Sequence, residues 1–189
     1  MKSISSYVLA GILCAGIMHG KPMHDRNMSH EDSVLKGEDM KSSDKKISQH
    51  LLNELLANET VMLHQTLNYH WNITGPEFHD YHLLFDAQYN ALFLDLDRIA
   101  ERVRAVEGQA LGSMKDMIKA ASLKEDTGEV PAPKQMVKNL LKQYEALIEQ
   151  IVEGVKKLEK SDIVTSNFLQ DLAAQHQKTA WMLRSLSAK

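Results

Sequence analysis

Cysteine is all but missing: the 189-residue chain has a single one, Cys14. One thiol forms no intrachain disulfide, and a zinc site built on cysteines is excluded. Aromatic residues make up only 6% of the chain. Strand-like alternation and internal repeats are lacking as well. There is no basic excess: Lys and Arg number 22 against 25 Asp and Glu, a formal net charge of -3. That balance does not fit a nucleic-acid binder or a polybasic membrane protein. The uncharged run Tyr7–Met18 is too short for a membrane-spanning helix, which needs about 20 apolar residues. No stable membrane span is therefore expected.

What is present is 43% hydrophobic residues, with Leu, Ala, Glu, Lys and Met plentiful. This composition predicts one all-α domain with an N-terminal tail. Residues 1–18 read as a signal peptide. Lys2 supplies a positive start, the apolar run follows, and Ala15-Gly16 offers a loose cleavage site. Export to the periplasm is the expectation; an ordinary N-terminus would leave the protein in the cytoplasm. Bulky Leu13 argues against a lipoprotein signal at Cys14. Residues 19–45 form a polar tail with mixed charges and no apolar periodicity, expected to be disordered. Its His19, Met23, His24, Met28 and His30 are spaced closely enough to catch copper or similar ions. A soluble linker with incidental His and Met is the plainer reading. Residues 46–189 are then the folded domain.

Within it, apolar residues at helical steps predict a first helix from about Ile47 to Trp71, with His70 on the same stripe as Leu56 and Leu63. Gly75-Pro76 breaks it. A second helix is expected from Pro76–Glu77 to about Glu107, ended by Gly108. Ser113–Ala121 reads as a short extra helix in the long connection. Pro133 suits the first turn of a third long helix, and Ser161 or Asp162 can cap the fourth. Four long helices and one short one make a four-helix bundle, with the short helix lying between helices two and three.

The chemistry concentrates between Asn68 and Glu101. His70 and His82 flank the Gly75-Pro76 break, so helices folded back on each other hold both imidazoles about 8–9 Å from the turn. Asp86 lies four residues after His82, on the same face. Two nitrogens and a carboxylate make a partial iron site. Asp97 and Glu101 are a further i, i+4 pair on roughly the same face. The eleven residues from Asp86 to Asp97, however, rise about 16 Å, too far for one ion to touch both. Either each chain has two sites, or two copies of this helix pair antiparallel about a two-fold axis. Asp97 and Glu101 repel each other modestly, which Arg98 and Arg104 can offset. His50, His64, His79 and His176 are assigned to packing rather than to metal.

The same residues carry a resemblance. The stretch LLNELLANETVMLHQTLNYHWNITGPEFHDYHLLFDAQYNALFLDLDRIAERVRAVEGQALGS is similar to the first half of the Dps family, the mini-ferritins. The likeness continues more loosely to KTAWMLRSL. HWN, G-P-x-F-H-x-x-H and D-x-x-x-E-R are specific in combination. The resemblance implies a ferritin-like four-helix bundle assembled into a homo-oligomeric shell, a dodecamer. It implies metal-binding catalytic residues His70, His82 and Asp86 from one subunit with Asp97 and Glu101 from a two-fold-related subunit. It also implies iron as the metal, with Fe²⁺ and hydrogen peroxide as substrates, in an iron-storage ferroxidase that protects against oxidative stress. Trp71 becomes an auxiliary residue beside the centre, unless it is simply a core anchor. The Glu-x-x-His pattern of an in-bundle ferritin centre is missing from the third and fourth helices. An acidic entry pore is expected, with Glu125, Asp126, Glu129 and Asp162 as candidates. DNA compaction, the alternative function, is disfavoured because the tail's charges nearly cancel. DNA binding is expected to be weak or absent.

Overall fold

The computed structural model describes residues 40–187. The leader expected over 1–18 and nearly all of the tail expected over 19–45 lie outside the described residues. Five helices follow in order: α1 (Ser42–Asn72), α2 (Phe78–Ala105), α3 (Met114–Ala120), α4 (Pro133–Leu158) and α5 (Ile163–Ser187). Among the described residues there is no strand, and no helix is long and apolar enough to cross a membrane. The all-α bundle with a short helix between the second and third long helices is the architecture the sequence predicts. α1 begins at Ser42, earlier than Ile47, because polar Ser42–Lys46 continue the helix ahead of the first apolar stripe.

The core is the stripe set that the periodicity indicates. Leu52, Leu55, Leu56 and Met62 of α1 meet Phe85, Leu92, Ile99 and Val103 of α2, Met136, Leu140, Leu147 and Ile151 of α4, and Leu169, Leu172 and Leu183 of α5. α1 packs chiefly on α2, and α4 on α5, so the bundle is two hairpins. Their tight joints have local causes. At the first, Gly75 adopts φ +111°, a conformation that costs residues with a Cβ. At the second, Asp162 accepts a hydrogen bond from the Thr165 amide at 3.0 Å and caps α5.

The long connection is held against α1 by a ladder of polar side chains. Asn53 accepts from the Leu111 amide (2.9 Å) and donates to the Gln109 carbonyl (3.0 Å). Buried Asn58 accepts from the amides of Ser122 (2.8 Å) and Leu123 (2.9 Å), and donates to Gln150 of α4 (2.8 Å). Tyr69 donates to Asp126. The contacts climb α1 as the connection advances, so the crossover runs parallel to that helix.

The end of α2 differs from expectation. Glu107 takes the left-handed conformation, with φ +63°, while its amide bonds Arg104 O and the Gly108 amide bonds Val103 O, both at 2.9 Å. This is a Schellman turn with glycine one place late. Gly108 is needed there for proximity: an added Cβ would lie 2.6 Å from Gln49 Cγ and 3.0 Å from Val103 O. A side chain at Glu107 costs about 1–2 kcal/mol in this conformation, partly offset by the Lys45 ion pair at 2.7 Å. Glu107→Gly is expected to raise stability by about 0.5–1 kcal/mol in urea denaturation. A decrease would show that the ion pair outweighs the backbone.

Candidate metal centre

The turn at Gly75 brings His70 of α1 over His82 of α2. Their rings stack with centroids 3.8 Å apart and planes 21° from parallel. Each imidazole is tied to the other's backbone: His70 Nδ1 lies 3.1 Å from His82 O, and His82 Nδ1 lies 3.0 Å from His70 O. A carbonyl only accepts, so both Nδ1 atoms carry the proton, which in the neutral imidazole leaves each Nε2 lone pair for a ligand. Fixing one ring nitrogen while the other faces a metal is how proteins orient imidazole ligands. Phe78 stacks on His82 from the other side, with centroids 4.9 Å apart.

Asp86 stands one helical turn beyond His82. Its Oδ1 accepts from the Tyr89 hydroxyl at 2.7 Å, and its Oδ2 lies 3.3 Å from Asn90 Nδ2. The Tyr89 ring in turn meets His70 edge-on at 5.0 Å. The bond to Asp86 raises the Tyr89 phenol above its ordinary value, so it stays a donor at neutral pH. His70, His82 and Asp86 thus form one braced group.

Asp97 and Glu101 are not part of it within the chain. Both are exposed on α2, about 16 Å and more along the helix from Asp86. Neither makes a hydrogen bond or ion pair among the described residues. Arg98 and Arg104 do not offset them. Arg98 pairs with Asp95 (2.9 Å) and Asp171 (2.6 Å), and Arg104 donates to the Gly108 carbonyl at 2.5 Å. The face carrying Asp97 and Glu101 also exposes Leu83 and Phe93, the latter 65% accessible.

Three other sequence expectations change. Trp71 is 69% exposed, so within the chain it is no core anchor. Asp162 is buried in a hydrogen-bonded cap and leaves the set of pore candidates. His50, His64 and His79 are exposed rather than packed. Of these four only His176 is buried, and it is not surrounded by apolar groups. Its Nε2 lies 2.9 Å from Glu59 Oε1, and Asp95 stands nearby. Sequence reading missed this trio because its members come from three helices and lack a common spacing.

The family model for the ferritin-like domain matches residues 49–189. A DNA protection during starvation protein 2 of Bacillus anthracis is 31% identical over 128 residues, covering 67% of this chain and 86% of the relative. This chain belongs to the Dps family. An uncharacterized low temperature-induced protein of Nostoc sp. is 41% identical over 127 residues, 66% of this chain and 71% of that protein. Among solved structures, a Dps protein of Vibrio cholerae O1 superposes with a TM-score of 0.75 at 29% identity, over 79% of this chain and 94% of that one. That protein is described as a member of a broad superfamily of ferritin-like diiron-carboxylate proteins. The Dps resemblance read from HWN and D-x-x-x-E-R is therefore sound, and with it the ferritin-like bundle.

Proposed function

We propose that this Dps protein is a ferroxidase and iron store. It oxidises Fe²⁺ with hydrogen peroxide at centres shared by two subunits and retains the ferric product inside a dodecameric shell. The observation that carries the reading is the reciprocal bonding of His70 and His82. It presents two imidazole Nε2 atoms ready for a borderline cation such as Fe²⁺, with a braced carboxylate one turn away.

The acidic half supports a partner subunit. Asp86 and Asp97 are equidistant from a point between Ala91 and Leu92, and so are His82 and Glu101. An antiparallel two-fold crossing of α2 at that point brings Asp86 level with Asp97 and His82 level with Glu101 of the other copy. The same crossing covers Leu83 and Phe93. One face of α2 thereby supplies both the ligands and the apolar contact.

In the proposed reaction Fe²⁺ is the substrate. His70 and His82 bind it through nitrogen, and the carboxylates favour the harder Fe³⁺ that forms. Two Fe²⁺ each lose an electron to one hydrogen peroxide. Two ferric oxyhydroxide units result, with two waters consumed and four protons released. Trp71, next to His70 in sequence and exposed, would absorb stray oxidising equivalents. The net charge of -3 favours this chemistry over DNA compaction, which depends on cationic contacts to phosphate. The test is anaerobic Fe²⁺ loading followed by peroxide, on wild type and Asp97→Ala. Rapid oxidation should fall at least about 100-fold in the variant; oxidation at the wild-type rate sinks the shared-centre reading.

A further inference from the structure

We propose a second cation site inside each subunit, formed by Glu59 of α1, Asp95 of α2 and His176 of α5, that takes one first-row divalent ion of the Fe²⁺ or Zn²⁺ type. One donor atom from each residue lies within 4.8 Å of the other two, and all three side chains are buried. A tetrahedral ion with bonds of about 2.0–2.2 Å holds its donors about 3.3–3.6 Å apart. The side chains would draw together by about 1 Å on binding.

Two observations point to a cation rather than to a simple ion pair. Glu59 Oε2 is fully buried and has no hydrogen-bond partner among the described residues. Its Oε1 already meets His176 at 2.9 Å, so the pair alone leaves one dry lone-pair acceptor uncompensated. The second observation is Asp95. Arg98 pairs with its Oδ1 from the more exposed side, but a second buried carboxylate beside Glu59 still adds like-charge repulsion in a low-dielectric core. A dication between them turns that repulsion into attraction and supplies the partner that Oε2 lacks. One imidazole nitrogen and two carboxylates suit iron or zinc. The Tyr144 ring packs edge-on against His176, with centroids 5.5 Å apart, and walls the site.

The trio is separate from the shared centre. Glu59 precedes His70 by eleven residues of α1, about 16 Å. Asp95 is buried while Asp97 is exposed, so the two carboxylates leave α2 on different sides. Arg98 bonds Asp95 Oδ1 at 2.9 Å, which orients that carboxylate. An ion here ties α1, α2 and α5 together.

The test uses the full chain carrying His70→Ala and Asp97→Ala, which disables the shared centre, stripped with chelator and titrated with Co²⁺. A single Co²⁺ per chain should give visible d–d absorption and raise Tm. Adding His176→Gln should weaken that binding at least about tenfold. Because a core substitution can perturb folding, wild-type crystals soaked in Zn²⁺ give an independent readout: anomalous density between Glu59, Asp95 and His176. No density in soaked crystals, or Co²⁺ binding unchanged by His176→Gln, overturns the proposal.

Discussion

His70→Ala and Asp97→Ala are each expected to oxidise Fe²⁺ only slowly alone and to recover activity when unfolded together and reassembled. If centres form between two subunits, each mixed interface holds one centre with an intact histidine half from one chain and an intact acidic half from the other. Its second centre carries both lesions. With random pairing half of the interfaces are mixed, so about a quarter of the wild-type centres return. Mixing His70→Ala with His82→Ala, which damage the same half, should return none. Two independent sites per chain give a different outcome: each single variant keeps one site and about half its activity, and mixing adds nothing. Stopped-flow oxidation on assemblies whose mixed composition is verified by native mass spectrometry separates the cases. No recovery in verified hetero-assemblies rules out the shared centre.

Asp162→Ala is expected to lower the stability of the chain by about 3–4 kcal/mol. Asp162 is buried where three helices meet. Its Oδ1 accepts from the Thr165 amide and from Arg102 Nη2 at 3.3 Å; its Oδ2 accepts from buried Ser48 Oγ at 2.8 Å and from the Thr165 hydroxyl. Removing the cap alone costs about 1 kcal/mol. Arg102 keeps its bond to Thr165 Oγ1 at 2.9 Å but loses its carboxylate, and the Ser48 hydroxyl loses its acceptor, which together add about 2–3 kcal/mol more. Urea denaturation at fixed protein concentration measures the loss, and a change below about 0.5 kcal/mol refutes the account. pH gives a second handle. Burial alone pushes the Asp162 carboxyl up, but the Thr165 and Ser48 bonds and the Arg102 charge outweigh it and hold the carboxyl below its usual range. The folded state therefore binds the proton less readily than the unfolded one. The stabilisation is complete above the ordinary carboxylate pKa of about 3.9 and is lost as pH falls through the folded value. Asp162→Asn should flatten that acid limb.

Much of this was legible in the chain. The apolar stripes, the Gly75-Pro76 break, Pro133 and the capping Asp162 marked four helices because each signal acts through local sterics or hydrogen bonds. His70 and His82 were legible as a pair, since equal distances from a turn translate directly into equal height. What stayed hidden depended on contacts between distant segments. Nothing local shows that Asn53 and Asn58 face the crossover and not solvent, or that Arg98 turns to Asp95 and Asp171. Glu107 in a left-handed conformation contradicts its own backbone preference, and tertiary packing at Gly108 decides it. The Glu59–Asp95–His176 trio draws on positions 59, 95 and 176, a separation no motif spans.

The reciprocal bonds of His70 and His82 carry a further consequence. The imidazoles that face the proposed iron site also fasten the two arms of the α1–α2 hairpin, each through its Nδ1 proton. Asp or Glu at either position would retain an oxygen donor for iron, but a carboxylate has no proton to give a carbonyl, and the hairpin would come undone at that point. Ligand exchange and hairpin closure are thus one constraint. At these two positions the range of acceptable residues is set by the backbone across the turn as much as by the ion.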